Sequence, residues 1–184
     1  MEREDMTNMD DILAYRNDAS ILSIPSLKGF EVTEDENMQS VYMATSNDMM
    51  IQIISDGRLG KRETVDDRIS DTINMTKMYM REQGLRVSEN TFFFYKEFSN
   101  GVFDFKVFVQ DMEAPQSKQA MRCFVAFFRE PKKNVFYQIG LSMAPVNMPF
   151  TSLKLGMVDL EHDTLTKDTL SKFEYFLLNL KYKD

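Results

Sequence analysis

The sequence predicts an α+β fold in which helices pack on an antiparallel sheet. Residues 85–143 are rich in Phe, Val and Tyr, which favour strands, and polar turns divide this stretch. Two stretches with apolar residues at helical spacing, 64–83 and 167–182, flank it. Strands joined by short turns pair antiparallel, so we expect the helices to cover the resulting sheet.

The chain has 184 residues, of which 43% are hydrophobic and 28% are charged. This composition fits one globular domain. Residues 1–11 hold five acidic residues and no apolar run. We therefore expect an acidic flexible tail over 1–11 and a single domain over 12–184. With no secretory signal and no apolar run of about 18 residues, we expect a cytoplasmic protein that does not insert into membranes.

The net charge of the chain is -7, from 22 Lys and Arg against 29 Asp and Glu. This balance repels phosphate backbones, so we expect no nucleic-acid partner. The acidic charge is compatible with a basic protein partner, and a contribution to solubility explains it equally well. The sequence does not indicate an oligomeric state.

The first third of the chain predicts short elements. We expect a helix and then four extended runs, over 12–20, 21–25, 30–33, 39–45 and 49–55. Pro25 disfavours helix at the residue before it. The last two runs are separated by three polar residues, Ser46, Asn47 and Asp48, which is the pattern of a hairpin.

The stretch 64–83 predicts the first long helix. Thr64 can cap its start, and Asp67, three residues on, can complete a capping box. Gly84 is placed to end it. One face carries Val65, Ile69, Ile73, Thr76 and Met80.

The next two strands are predicted around Asn100-Gly101, a dipeptide that favours the type I′ turn of a hairpin. A two-residue loop would pair Phe98 with Phe103 and set Glu97 opposite Asp104. Such a like-charge pair is unfavourable, and a longer loop would remove it.

A second hairpin is predicted over 121–129 and 135–143, with its turn at 131–134. Residues 144–163 form a long connection, for which packing on the core is the expected role. We expect a last helix over 167–182 that Thr166 caps and that lies on the sheet.

The sequence has few side chains in patterns suited to catalysis, and we expect no enzyme, cofactor or metal site. His162 is the one histidine, and it lies between two acidic residues in a polar segment. Cys123 alternates with apolar residues, as a buried structural thiol does. These residues do not form a zinc spacing, and no serine lies in a nucleophile-elbow sequence.

A loop before the first long helix carries Arg58, Lys61 and Arg62. Helix N-termini offer unpaired N–H groups, so this loop is a candidate anion site. Its glycine spacing is not that of a phosphate-binding loop. A solvated basic loop is the alternative.

Two features favour binding of a protein partner. The chain has 15 methionines, an adaptable residue found in apolar binding grooves, although core filling also accounts for them. Both faces of the strand near Phe92 are apolar and need cover, from the protein itself or from a partner. The side chains expected to contact a partner are Met43, Met50, Phe93, Tyr95 and Phe108.

The order of these elements resembles the PsbP-like and DcrB-like α/β/α sandwiches. The stretches that carry the resemblance are Ile24-Pro25 with Gly29-Phe30, 42–55, 64–83, 85–143 and 167–182. The resemblance covers most of the chain and contains no diagnostic motif. It implies an α/β/α sandwich and carries over no functional residue.

Members of that family resemble noncatalytic binding proteins, including assembly factors, import adaptors and chaperones that shield apolar segments of secreted effectors. The resemblance therefore implies a protein-binding accessory domain, either an adaptor or a chaperone. An immunity-type inhibitor of a toxin is an alternative, because acidic domains can neutralise basic enzymes. A small-ligand carrier or an enzyme is the third, and it would need a concave pocket with converging polar groups.

Overall fold

The computed structural model describes residues 9–35, 40–149, 151 and 153–184. The helices among these residues are α1 (Met9–Ala19), α2 (Val65–Glu82) and α3 (Thr164–Asn179). The strands among them are β1 (Leu22–Ser23), β2 (Glu31–Val32), β3 (Ser40–Thr45), β4 (Met49–Arg58), β5 (Phe92–Ser99), β6 (Asp104–Ala114), β7 (Gln119–Glu130), β8 (Val135–Met143), β9 (Val146–Asn147) and β10 (Lys181–Tyr182).

The helix and the extended runs expected in the first third of the chain are present within these limits. Helix α1 begins at Met9, inside the segment expected to be a tail, and residues 1–8 lie outside the described residues. The expected start of the third extended run at Gln39 also lies outside them.

The main sheet has the strand order β2-β3-β4-β8-β7-β6-β5, and β9 pairs with the start of β7. Every pairing in it is antiparallel, so the predicted fold class is confirmed. The predicted meander is β5 to β8. The hairpin of β3 and β4 joins it through an antiparallel pairing of β4 with β8.

Helices lie on both faces of this sheet. One face, called here the α3 face, packs against α3 through Phe173, Phe176 and Leu177, which are fully buried, and against α1 through Ala19. The other, the α2 face, packs against α2 through Ile69. The arrangement is an α/β/α sandwich.

The capping box of α2 is confirmed. The Asp67 backbone N–H donates to Thr64 Oγ1 at 3.0 Å, and the Thr64 N–H donates to Asp67 Oδ2 at 3.1 Å. Gly84 follows the helix with a φ of 74°, in the left-handed region that ends helices.

The two-residue loop expected for the first aromatic hairpin is wrong, and the longer loop, which was the alternative, is present. Phe98 pairs with Phe105, and Glu97 pairs with Lys106, so the loop spans residues 100–103 and the like-charge pair does not form. Asn100 causes the longer loop: its Oδ1 accepts the N–H of Phe103 at 2.8 Å, and its Nδ2 donates to the Leu177 and Leu180 carbonyls of the α3 end at 2.7 and 2.8 Å.

A β-bulge at Tyr95 also shifts this hairpin, because Phe94 pairs with Phe108 and Lys96 pairs with Val107. The extra residue moves Phe98 to the opposite face from Phe94.

The predicted bounds and cap of the last helix are also wrong. Asp163 is the N-cap, with its Oδ1 accepting the Thr166 N–H at 3.0 Å. Tyr182, expected in the helix, lies in β10, which pairs with β1. The prediction that this helix lies on the sheet is confirmed.

The connection between β8 and α3 packs on the core around Arg122, whose side chain is 0% exposed. Arg122 holds Asp111 through two hydrogen bonds, of 2.7 and 2.9 Å. It also donates to the carbonyls of Lys154 and Met157, at 2.9 and 2.7 Å. Charge-assisted bonds from a buried guanidinium therefore tie this segment to the sheet.

Candidate functional site

Helix α2 covers only part of its sheet face. At its start, Arg68 lies over the Phe136 ring of β8, 5.7 Å from the centroid, and donates to the Asp56 carbonyl of β4 at 2.7 Å. Near its end, Met80 is buried and its sulfur lies 3.4 Å from Gln110 Nε2 of β6. The helix therefore crosses the sheet diagonally. It starts near β4 and β8 and runs away from β3 and β4 toward β6.

Two rows of side chains run across the α2 face from beneath the helix toward β3. The first row is Cys123, Ser142, Met50, Thr45 and Glu31. The second row is Val125, Gly140, Gln52 and Met43. Cys123 and Val125 pack with Ile69 of α2, which fixes the face on which both rows lie.

The part of this face beyond the helix is called the open floor. Its members are Met43, Thr45, Met50, Gln52, Ile54, Gly140 and Ser142, all half-buried. No helix of the described residues packs on it. On the opposite side of the same strands, Ile51 and Ile53 are 0% exposed and Ala44 is 1% exposed. Burial on β4 thus alternates because one face is covered and the other is not.

One side of α2 forms a wall beside the open floor. Because Arg68 points toward β4, the side chains four, seven and eleven residues later lie on the same side of the helix. They are Thr72, Met75 and Tyr79, called here the helix wall. Met75 is 70% exposed and Tyr79 is 61% exposed. Apolar side chains at this exposure are candidates for contact with another molecule.

Exposed carboxylates surround the open floor and the helix wall. This acidic rim consists of Glu31, Asp48, Asp71 and Glu82. Within the described residues none of them is in an ion pair.

Arg68 is a cation on this side of α2, and Glu63 accepts hydrogen bonds from it at 2.6 and 2.9 Å. The bond from Arg68 holds the pKa of Glu63 down at about 2. Asp56 lies beside the start of α2. Burial raises its pKa to about 6, although the charge of Arg68 acts to lower it. The open side of the α2 face therefore combines apolar side chains (Met43, Met50, Ile54) with polar ones (Thr45, Gln52, Ser142), and its border is negative.

The five residues expected to contact a partner are not all brought together. Met43 and Met50 are neighbours on the open floor, because Met43 pairs with Gln52, two residues along β4 from Met50. Phe108 lies on the same face on the other side of α2, in contact with the Phe94 ring at 5.5 Å.

Phe93 and Tyr95 lie on the α3 face, packed against its core, with Tyr95 6.3 Å from the Phe124 ring. Sequence reasoning missed Met75 and Tyr79. Their spacing from Arg68 is a second helical stripe that the sequence itself displays.

The loop expected to bind an anion already holds a carboxylate. Glu63 Oε1 accepts the Gly60 N–H at 3.1 Å, and the capping box uses the first donors of α2. Arg58 lies 3.5 Å from Asp18, while Lys61 and Arg62 are exposed. The anion site at Arg58, Lys61 and Arg62 stays a prediction.

The groups considered for chemistry lie apart. Cys123 is buried, and burial raises the pKa of its thiol to about 11. His162 is an exposed side chain whose Nδ1 lies 3.0 Å from Asp159 Oδ2. In the part of the chain that the structure describes, no three His, Cys, Asp or Glu side chains are placed to hold a metal ion. No helix of those residues has the length and apolar character to cross a bilayer.

Two surface clefts lie away from the open floor. One, of about 620 Å³, lies at the turn end of the sheet and is lined by Val65, Phe127 and Pro131 among others. The other, of about 520 Å³, lies between residues 26–28 and α3, beside Tyr175. Either cleft is a candidate place for a small ligand.

Comparison with known proteins bears on the fold. No protein-family model and no curated protein sequence matches the chain. A solved structure of a point mutant of the protein Mog1 is similar, with a TM-score of 0.56 and 10% sequence identity. The match covers 89% of this chain and 92% of that chain. At this identity the likeness agrees with helices packed on a sheet and carries over no site residue.

Proposed function

We propose that this protein is a noncatalytic binding domain, an adaptor or chaperone, that covers an apolar segment of a partner protein. The observation that carries the proposal is the uneven cover of β3 and β4. On the α3 face Ile51 and Ile53 of β4 are fully buried, whereas Met43 and Met50 on the α2 face are half-buried and border water. A partner segment on the open floor would complete the second face.

A helix fits this space better than a strand. Strands lie about 4.8 Å apart, so β8, β4 and β3 present a floor roughly 10–14 Å wide. A helix with its side chains is about 10–12 Å across. The backbone groups of the middle strand, β4, already pair with β3 and β8, so the floor offers side chains rather than a free strand edge. A helix lying beside α2 would contact both the floor and the helix wall.

The resemblance to PsbP-like and DcrB-like proteins supports this proposal. Kinship with those proteins is itself proposed here. The immunity-type inhibitor stays an alternative, and the acidic rim suits a basic enzyme as its target. The small-ligand or enzyme alternative rests on surface clefts such as those beside Val65 and Tyr175.

Site-specific photo-crosslinking in cells of the native host tests the proposed function. A photoreactive amino acid at Gln52, in the middle of the open floor, is expected to give a discrete adduct with another protein. The matched control is the same amino acid at Leu178, which is 58% exposed on α3. Equal labelling at Gln52 and Leu178, or none at Gln52, would contradict the proposal.

A second variant separates docking from mere proximity. Met50→Glu places a charge on the half-buried floor and is expected to remove the Gln52 adduct. Circular dichroism and thermal unfolding check that the variant remains folded.

A further inference from the structure

We infer that the segment that docks on the open floor is a basic amphipathic helix of a protein partner, an inference that rests on the proposed function. The juxtaposition that carries it is a surface of Met, Ile and Tyr side chains among short polar ones, made by the open floor and the helix wall, inside a border of carboxylates that form no ion pair among the described residues. An occupant with an apolar face and flanking Lys or Arg side chains would match both parts.

The rim carboxylates border the surface on three sides. Glu31 ends the first row of side chains, opposite Thr45 on β3. Asp48 lies in the turn between β3 and β4. Asp71 and Glu82 precede and follow the exposed Met75 and Tyr79 of the helix wall.

The four rim carboxylates form no ion pair among the described residues, and Asp71 interacts with the charge of Arg68 only at longer range. Arg68, the cation beside the helix wall, is held by Glu63 in a pair whose side chains are 19% and 24% exposed. Its guanidinium is also engaged by the Asp56 and Arg58 carbonyls at 2.7 and 3.1 Å. Rim charges steer encounter and set partner choice more than they set affinity, so the expected signature is charge selectivity that depends on salt.

Two other occupants match the surface less well. The N-terminal residues 1–8 carry Glu2, Glu4 and Asp5 against Arg3, so this segment would bring like charge to the acidic rim. A second copy of this chain, with a net charge of -7, would do the same. Like charges across an interface select against such partners.

Three synthetic helical peptides test the inference. They share one apolar face of Leu and Met, and their polar faces carry lysine, glutamine or glutamate. Fluorescence anisotropy measures their affinity for the full chain. We expect the lysine peptide to bind about tenfold or more tighter than the glutamate peptide at low salt, with the glutamine peptide between them, and the spread to shrink at about 0.5 M salt.

Two variants assign the effect to this surface. The quadruple change Glu31→Gln, Asp48→Asn, Asp71→Asn and Glu82→Gln is expected to reduce the preference for lysine to about twofold or less while glutamine-peptide affinity is kept. These positions are exposed, so the variant should fold. Met50→Glu is expected to weaken glutamine-peptide binding, and Leu178→Glu, on the outer side of α3, is the matched control that should leave it unchanged.

The outcomes separate this inference from the proposed function. If all three peptides bind equally and Met50→Glu weakens all of them, the charge preference is wrong while the docking surface stands. If no peptide responds to Met50→Glu and Gln52 gives no adduct, the proposed function fails as well.

The other occupants are distinguished by two further measurements. Removal of residues 1–8 that raises peptide affinity about tenfold would identify the chain's own N-terminus as the occupant and overturn the inference. A dimer in sedimentation that Met50→Glu converts to a monomer would identify a second copy and overturn it too.

Discussion

The two faces of the sheet are built from the same strands but are closed to different degrees. On the α3 face, α3 packs on the meander and α1 packs on β3 and β4, and side chains such as Ile53 and Phe176 are 0% exposed. On the α2 face, α2 covers the meander alone. Among the described residues, two helices cover the α3 face and one covers part of the α2 face, and this difference is why the proposed partner is placed on the α2 face.

The first way to test this contrast compares two arginines. Arg122 on the α3 face is fully buried, so Arg122→Met leaves Asp111 as an unpaired buried charge, with an expected loss of about 3–5 kcal/mol in the free energy of unfolding. Arg68→Met, at the partly exposed margin of the α2 face, should cost about 1 kcal/mol. Urea unfolding measures both, and equal losses would contradict the difference between the faces.

Adjacent isoleucines on β4 give a closer comparison. Ile53→Ala opens a cavity in the covered core and should cost about 2–5 kcal/mol in unfolding free energy. Ile54→Ala, on the open floor, should cost about 1 kcal/mol or less, because water already reaches this side chain. The two variants have identical chemistry, so denaturant midpoints compare the faces directly. A loss at Ile54 that matches the loss at Ile53 would mean that the floor is covered.

The pH dependence of stability probes the margin of α2. Because burial raises the pKa of Asp56 from 3.8 to about 6, the folded state binds its proton more tightly than the unfolded state. The stability from that proton is complete below about pH 4 and is lost as the pH rises through about 6.

Asp56→Asn should therefore gain stability relative to the wild type between about pH 4 and pH 7, on the order of 1 kcal/mol, since water partly screens this half-buried group. Urea unfolding across this range measures the difference. A constant difference would mean that the Asp56 carboxyl is fully hydrated.

The smallest effect that we expect is a difference in oxidation rate between two neighbouring methionines. Met49, on the α3 face, is 7% exposed, whereas Met50 is half-buried on the open floor. Dilute hydrogen peroxide should oxidise Met50 about threefold or more faster than Met49, as peptide mass spectrometry would show. Met75, at 70% exposure, is the fast reference. Faster oxidation of Met49 would reverse the assignment of the faces.

The elements that depend on local chemistry could be predicted from the sequence. Thr64 and Asp67 lie three residues apart, and their capping box forms as expected. The second hairpin, with its turn between β7 and β8, also follows from local turn residues. Both depend on contacts between residues close in the chain.

Contacts distant in the chain account for some of the errors. The hairpin register depends on Asn100 binding the Leu177 and Leu180 carbonyls, which lie 77 and 80 residues away. The start of the last helix is a local error, because Asp163, three residues before Thr166, is itself a capping residue. The buried pair of Arg122 and Asp111 forms across neighbouring strands, and the sequence shows no pattern for it.

The candidate site could be predicted only in part. The methionine pattern indicates Met43 and Met50, which meet on the open floor. Phe93 and Tyr95 are grouped with them because both faces of their strand are apolar, and the packing of α3 decides that their face is covered. Which half of the α2 face stays open depends on the diagonal path of α2, which no local pattern specifies.

Methyl NMR of the methionines tests the docking surface most directly. With the lysine peptide added to the full chain, the methyl signals of Met43, Met50 and Met75 are expected to shift, whereas those of the buried Met49 and Met143 stay in place. Shifts confined to methionines off the open floor and the helix wall, or no shifts under conditions in which the peptide binds, would contradict the docking of a helix on the open half of the α2 face.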